Sequence, residues 1–278
     1  MSNQAQQARE AFGARLRDLR KDAGLTGRAL ARMVGWQLSK VSKIEHGKQN
    51  ASVEDIRAWC RCTGAEDQIP DLVAAVRNIE AMWLEWRRTL QTGTRIRQQQ
   101  SLALYRKTRV FRVYHPTVVW GSLQTAEYAA AVLQQVVDFY EIPDDVDAGV
   151  AARMERQQFL YRGDRRYNVI LGEQALYTNI GGPEVMRGQL DRLLATMSLP
   201  RLSLGIIPTR FQYRIWPGNA FIMFDERMVM IETYSAELTV TQPREIALYA
   251  RAFALLQQSA VYGRPVGELI SRALSDLR

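Results

Sequence analysis

Between Gln37 and Glu45 one short stretch, QLSKVSKIE, sets polar and basic side chains at positions that a helix turns outward. Gln37, Ser39, Lys40, Ser42 and Lys43 offer hydrogen-bond donors and acceptors. Val41 and Ile44, three apart, form the inward row, with Leu38 one turn before them. Amides, hydroxyls and ammonium groups in this order do not make or break covalent bonds. They suit noncovalent recognition of base edges in a nucleic-acid groove. Arg28 and Lys48, on either side of the stretch, are suited to phosphates, contacts that hold register and carry little sequence information.

Such a row needs elements to hold it. Thr26 is placed to cap a helix that buries Leu30, Met33 and Val34, and Gly35 ends that helix because a residue without a Cβ enters the left-handed region at low cost. The next helix runs from about Gln37 to Glu45 and Gly47 closes it. Before this pair, residues 8–23 repeat Phe12, Leu16 and Leu19 at helical spacing, with Arg15 and Arg17 off the stripe and available to phosphate. After it, Ser52 caps a helix with Glu54 and Asp55 in its first turn, Ile56, Trp59 and Cys60 facing inward, and Gly64 at its end. Two short helices joined by a glycine-containing turn form a helix-turn-helix, whose second helix lies in the DNA major groove.

These residues resemble the lambda-repressor-like, xenobiotic-response class of helix-turn-helix domains. The matching features are Gly24-Leu25-Thr26, Leu30-Ala31, Gly35, the run Ser39-Lys40-Val41-Ser42-Lys43-Ile44-Glu45 and Gly47, and the resemblance spans about residues 8–66. It implies that Leu38, Ser39 and Lys43 face bases, with Gln37 and Lys40 flanking, and that Arg20 pairs with Glu45 to orient the reading helix from behind. Leu38 departs from the polar residue often found at its position, and either meets a thymine methyl or packs.

Composition agrees with a two-part protein. At 278 residues two domains are expected. Hydrophobic residues make up 47% and charged residues 24%, enough for a core and ordinary for a soluble chain. No apolar run approaches the roughly 18 residues of a membrane span, and MSNQAQQAREAFG lacks the apolar centre of a signal peptide, so the expected location is cytoplasmic, away from membranes. Cys60 and Cys62, one residue apart in a helix, read as reduced structural residues. With His46 and His115 in unrelated contexts, no metal site is expected. The net charge of +8 is uneven: residues 1–110 hold 20 Lys/Arg against 11 Asp/Glu, and the remainder 17 against 18. The basic excess lies wholly in the part that carries the helix-turn-helix, as expected where one part touches phosphates.

Beyond the first domain (1–66), residues 67–100 read as a helical bridge, Asp71 to Leu90 with Leu72, Val76, Ile79, Trp83 and Trp86 along it, followed by a polar connection from Gln91 to Gln100. Residues 101–278 form the second domain. His115-Pro116 breaks regular structure; Thr125–Tyr140 and Asp144–Leu160 are amphipathic helices; Tyr167–Leu171, Leu202–Ile207, Ala220–Phe224 and Met228–Ile231 are short strands, the last two joined at Asp225-Glu226-Arg227. A helix over Val185–Met197 between two apolar strands suggests a βαβ-like crossover, and Pro243–Tyr262 closes as a long helix. The expected class is α+β overall: an all-α five-helix domain followed by a mixed α/β domain with a small sheet.

This second part resembles the domain of unknown function that follows such helix-turn-helix units in many actinobacterial regulators described as antitoxin-like. Its markers over about residues 88–274 include Leu123-Gln124-Thr125, Tyr128-Ala129, Arg153, Glu155-Arg156-Gln157, Glu173, Gly181-Gly182, Ile206-Ile207-Pro208 and Glu232. Where the family has a proline-glycine-leucine turn, this chain has Trp120-Gly121-Ser122, which alters any pocket that turn lines. Arg153, Arg156 and Glu173 form a candidate cluster that binds a polar ligand or partner, or closes the sheet as a structural pair. No phosphate loop, Gly-x-Ser-x-Gly elbow or His-Glu-x-x-His motif is present. The sequence therefore points to a regulator of double-stranded DNA, homodimeric, without cofactor or catalytic residues. A small ligand or a small protein encoded nearby would be its signal; the other reading is an antitoxin-like protein whose DNA binding is autoregulatory.

Overall fold

The computed structural model describes residues 3–79, 83–85, 93–234 and 236–277. Contacts divide the chain into one unit of residues up to 83 with 239–246, and a second of 84–238 with 247–278.

The first unit is helical: α1 (Asn3–Asp22), α2 (Gly27–Met33), α3 (Leu38–Glu45), α4 (Val53–Thr63) and α5 (Ile69–Ile79). Local chemistry sets most of these boundaries. The Thr26 hydroxyl accepts from the Ala29 amide, and Ser52 and Asp55 satisfy each other's backbone amides in a capping box. Gly35 and Gly47 adopt φ of +70° and +63° where α2 and α3 stop. Phe12, Leu16, Leu30, Val41, Ile44, Ile56, Trp59 and Leu72 share one core. The Trp59 indole N–H donates to the Leu16 carbonyl at 3.0 Å, so its one polar atom is satisfied inside. Two expectations need correction here. Ala31, not Met33, turns inward on α2; Met33 is 57% exposed. The helix expected to reach Leu90 is described only to Ile79, and Trp83–Glu85 is a strand; Trp86 and the rest of that stretch lie outside the described residues.

The second unit is built on a larger sheet than expected. The strands are β1 (Trp83–Glu85), β2 (Val110–His115), β3 (Arg166–Gly172), β4 (Leu202–Ile207), β5 (Phe221–Phe224), β6 (Met228–Glu232), β7 (Ala236–Val240) and β8 (Val261–Tyr262), in the order β1-β7-β6-β5-β2-β3-β4-β8, with Trp83 and residues 239–240 counted in the first unit. β2, β3 and β4 run parallel, while β5 lies antiparallel to β2 and forms the expected hairpin with β6. The central position of β2 comes from Phe111, which stacks on Tyr167 of β3 with centroids 4.8 Å apart and meets Phe224 of β5 edge-on at 5.6 Å.

Helices α6 (Thr94–Lys107), α7 (Ala126–Tyr140), α8 (Val146–Gln157), α9 (Pro183–Thr196), α10 (Pro243–Ser259) and α11 (Arg264–Asp276) complete the described chain. As expected, α9 is the crossover between the parallel strands β3 and β4. Residues 94–100 are not a connection but the start of α6, because Asp145 accepts from the Thr94 amide at 2.7 Å and the Arg95 amide at 2.9 Å, supplying a cap from 50 residues away. The last helix does not run to Tyr262: Val261–Tyr262 pairs with β4, and α11 follows. No described helix is long and apolar enough to cross a membrane.

Candidate nucleic-acid interface

Helix α3 turns Val41 (1% exposed), Ile44 (2%) and Glu45 (7%) into the core of the first unit. Gln37, Leu38, Ser39, Ser42 and Lys43 are exposed. Gln37 is the N-cap residue rather than the first helical one, and its side chain makes no capping hydrogen bond. Ser39, Ser42, Lys43 and His46 follow the i, i+3, i+4, i+7 rule, so they line one stripe down the outward side. The sequence places Ser42 on the outward face without assigning it to bases, and it leaves His46 out, although the spacing includes both. The His46 ring Nδ1 lies 2.7 Å from the Ser42 carbonyl oxygen, which fixes the imidazole at the end of the stripe.

Behind the stripe, α3 is clamped. The Arg20 guanidinium of α1 makes a bidentate pair with Glu45, Nε to Oε1 at 2.6 Å and Nη2 to Oε2 at 3.0 Å, and its Nη1 donates to the Leu25 carbonyl at 2.6 Å. One side chain thus ties α1, the turn before α2 and the end of α3. Gly13 of α1 sits so close that a Cβ there would lie 2.3 Å from the Ile44 carbonyl oxygen.

Lys40 does not flank the reading face. Its Nζ lies 2.7 Å from Asp55 Oδ1 and 4.3 Å from the centroid of the Trp36 ring, so it fastens α3 to α4. The acidic capping residue of α4 attracts the one lysine of α3 that helical geometry turns toward it. Leu38 is 46% exposed, with Cδ1 3.5 Å from where a Cβ on Gly27 would stand, so it lies against the first turn of α2 and still reaches solvent. Arg28 and Lys48 are exposed, while Arg15 donates to the Gln68 side chain at 3.2 Å. The first turns of α2 and α3 hold no acidic residue, so nothing there opposes an approaching phosphate.

Asp55 therefore acts twice, as the capping-box partner of Ser52 and as the counter-ion of Lys40. Asp55→Ala is expected to lower the stability of the first unit by about 1–2 kcal/mol, mostly through the lost cap. The lysine pair, with Lys40 31% exposed, adds less than about 1 kcal/mol. Urea denaturation of Asp55→Ala beside Ser52→Ala checks this; equal losses would mean that the pair contributes nothing.

In the second unit the expected Arg153–Arg156–Glu173 cluster does not form. Glu173 accepts from the Thr209 amide at 2.6 Å, away from the arginines. Arg153 and Arg156, each 8% exposed and three apart on α8, instead line a cavity of about 250 Å³ between α6, α7, α8 and the sheet. Trp120 and Gly121 of the divergent turn line it as well, as do Gln98, His115 and Glu232. Arg153 donates to the Gln124 side chain at 2.5 Å, and Arg156 lies over the Tyr105 ring, 5.0 Å from its centroid. Burial lowers Arg153 to about 10, with Arg156 beside it adding to the shift, and burial lowers His115 to about 4, which leaves that imidazole neutral.

Residues 11–75, which contain α2 to α4 and the Arg20–Glu45 clamp, match a model described as a helix-turn-helix domain. Residues 98–272, more than half of the chain, match the family described as a domain of unknown function (DUF5753). The chain belongs to that family. The match takes in the sheet from β2 to β8 and all of the cavity lining except Thr94 and Arg97. The helix-turn-helix domain supports a DNA-binding regulator. No curated protein matches the chain.

Proposed function

We propose that the protein is a sequence-specific transcription regulator of the lambda-repressor-like, xenobiotic-response class, cytoplasmic and without catalytic activity. The observation that carries this reading is the division of α3: Ser39, Ser42 and Lys43 are exposed on one side while Val41, Ile44 and the Arg20–Glu45 clamp hold the other. A duplex groove needs such a rod, rigid behind and polar in front. As a homodimer it would set two such helices about 34 Å apart, on a near-palindromic site. The family domain would supply the dimer contacts and the signal response.

Genome-wide mapping of bound DNA identifies the operator, and two substitutions then test the roles. Lys43→Ala is expected to weaken operator binding by roughly 1–3 kcal/mol and to relax sequence preference, because it removes a base-edge donor. Arg28→Ala is expected to weaken binding to operator and random DNA alike and to reduce the salt slope by about one. Equal losses on both DNAs for both variants would overturn this division.

A second reading is antitoxin-like, with a small partner protein as the main ligand and DNA binding as autoregulation. It is supported by a groove of about 820 Å³ in the second unit, whose rim carries Trp216 at 80% and Leu248 at 65% exposure. Copurification of the product of a neighbouring gene favours it, and its loss in Trp216→Ser would place the contact in that groove.

A further inference from the structure

The cavity between α6, α7, α8 and the sheet holds an electrostatic imbalance that the fold does not resolve. Among the described residues neither Arg153 nor Arg156 has a carboxylate at ion-pairing distance, and the Nε of each is buried without a hydrogen-bond partner. The two guanidiniums are three apart on one helix face, so they also repel each other. Glu232 is the one lining carboxylate, but it is 58% exposed and 4.0 Å from Arg97, whose guanidinium already pairs with the buried Glu237. Gln98 Oε1 and His115 Nδ1 are two further buried polar atoms of the lining residues with no partner. A charge removed from water without a counter-ion is strongly unfavourable, and two side by side more so. Here both are kept, side by side on the wall of a cavity of about 250 Å³.

The rest of the lining sets the shape of what fits. Val118, Val132, Leu133, Val136, Ile222 and Met230 make an apolar wall, and the arginines lie toward the Trp120-Gly121 turn. Planar guanidinium forks match the two oxygens of a carboxylate or phosphate, and one stacked on an aromatic ring, as Arg156 is on Tyr105, is held in place for that contact. We propose that this cavity binds a small organic anion, its carboxylate or phosphate held by Arg153 and Arg156 and its apolar body laid against the valine- and leucine-lined wall. This rests on reading the family domain as the sensing part of the regulator.

The test uses the full chain and three probes of similar shape: benzoate, phenyl phosphate and neutral benzamide. Thermal unfolding and titration calorimetry read binding, and operator binding by fluorescence anisotropy is followed in the same samples. Benzoate or phenyl phosphate is expected to raise Tm and to bind at least about tenfold more tightly than benzamide, and whichever is stronger names the headgroup. The shift is expected to vanish in Arg153→Met and in Arg156→Met. Without probe, Arg156→Met is expected to unfold no earlier than the parent chain, since it removes an uncompensated buried charge. A structural arginine would give the opposite, a Tm lowered by several degrees. That result, or equal binding of benzamide and the anions, or a shift retained in both variants, overturns the proposal. Anion binding that leaves operator affinity unchanged keeps the anion site and removes the sensing reading; loss of operator binding in Lys43→Ala bears on the DNA reading alone.

Discussion

Glu45→Ala is expected to destabilise the helix-turn-helix unit by about 3–5 kcal/mol and to abolish operator binding. The size comes from what is left behind. Arg20 is 9% exposed, and its Nε and Nη2 both donate to Glu45. Removing the carboxylate strands a guanidinium in the core, and an uncompensated buried charge costs more than the intact pair contributes. The same principle gives a second outcome: Arg20→Met with Glu45→Leu is expected to lose less stability than Glu45→Ala alone, because both charges leave together. Amide hydrogen exchange over Leu38–Glu45 localises the effect, with early exchange in the single variant and protection largely kept in the double. If the double variant proves less stable than the single, the pair itself rather than the stranded charge carries the energy. The double variant should also bind operator poorly despite its folded state, because the Leu25 carbonyl loses its contact and α3 loses its bidentate tether.

Gly13→Ala is the second large effect, and its sign runs against propensity. In the middle of α1 an alanine should stabilise by roughly 0.5–1 kcal/mol through backbone entropy and helix preference. A Cβ at Gly13, however, would stand 2.3 Å from the Ile44 carbonyl oxygen and 2.7 Å from that of Glu45. Both are backbone atoms at the end of α3 and cannot swing aside, so α1 and α3 must separate. Overpacking of this kind costs about 1–3 kcal/mol or more, which exceeds the propensity gain. Gly188→Ala in α9 is the control, because nothing lies within 4 Å of its added Cβ and the helix interior is otherwise alike. Urea denaturation should show Gly13→Ala destabilised and Gly188→Ala unchanged or slightly stabilised. A stabilised Gly13→Ala would mean that the two helices have slack between them. The same displacement tilts the Ser39–Ser42–Lys43 stripe, so operator binding is expected to fall with stability.

What the sequence alone determined is the set of features decided within a few residues. The Thr26 cap, the Ser52–Asp55 capping box, the left-handed glycines after α2 and α3, the inward Val41 and Ile44, and the β5–β6 hairpin depend on hydrogen bonds and side-chain directions spanning a turn or two. The Arg20–Glu45 pair is longer-ranged and came from family resemblance rather than spacing. The outward stripe of α3 was legible for the same local reason, short of His46 at its end.

Tertiary structure decided what depends on a partner far along the chain. Lys40 became a fastening because Asp55 stands in front of it, and Ala31 replaced Met33 in the core because α2 turned that side toward its neighbours. The start of α6 needs a carboxylate from Asp145, and β8 needs Gly205, whose bare Cα leaves room for the Tyr262 ring. β2 carries Arg112 within an apolar run and is central only because Tyr167 and Phe224 flank Phe111. Arg153 and Arg156 were visible as charges, but a charge in sequence has no address. Only the closing of α8 over the sheet separated them from Glu173 and buried them together, since desolvation and the presence or absence of a counter-ion are set by packing across the whole domain.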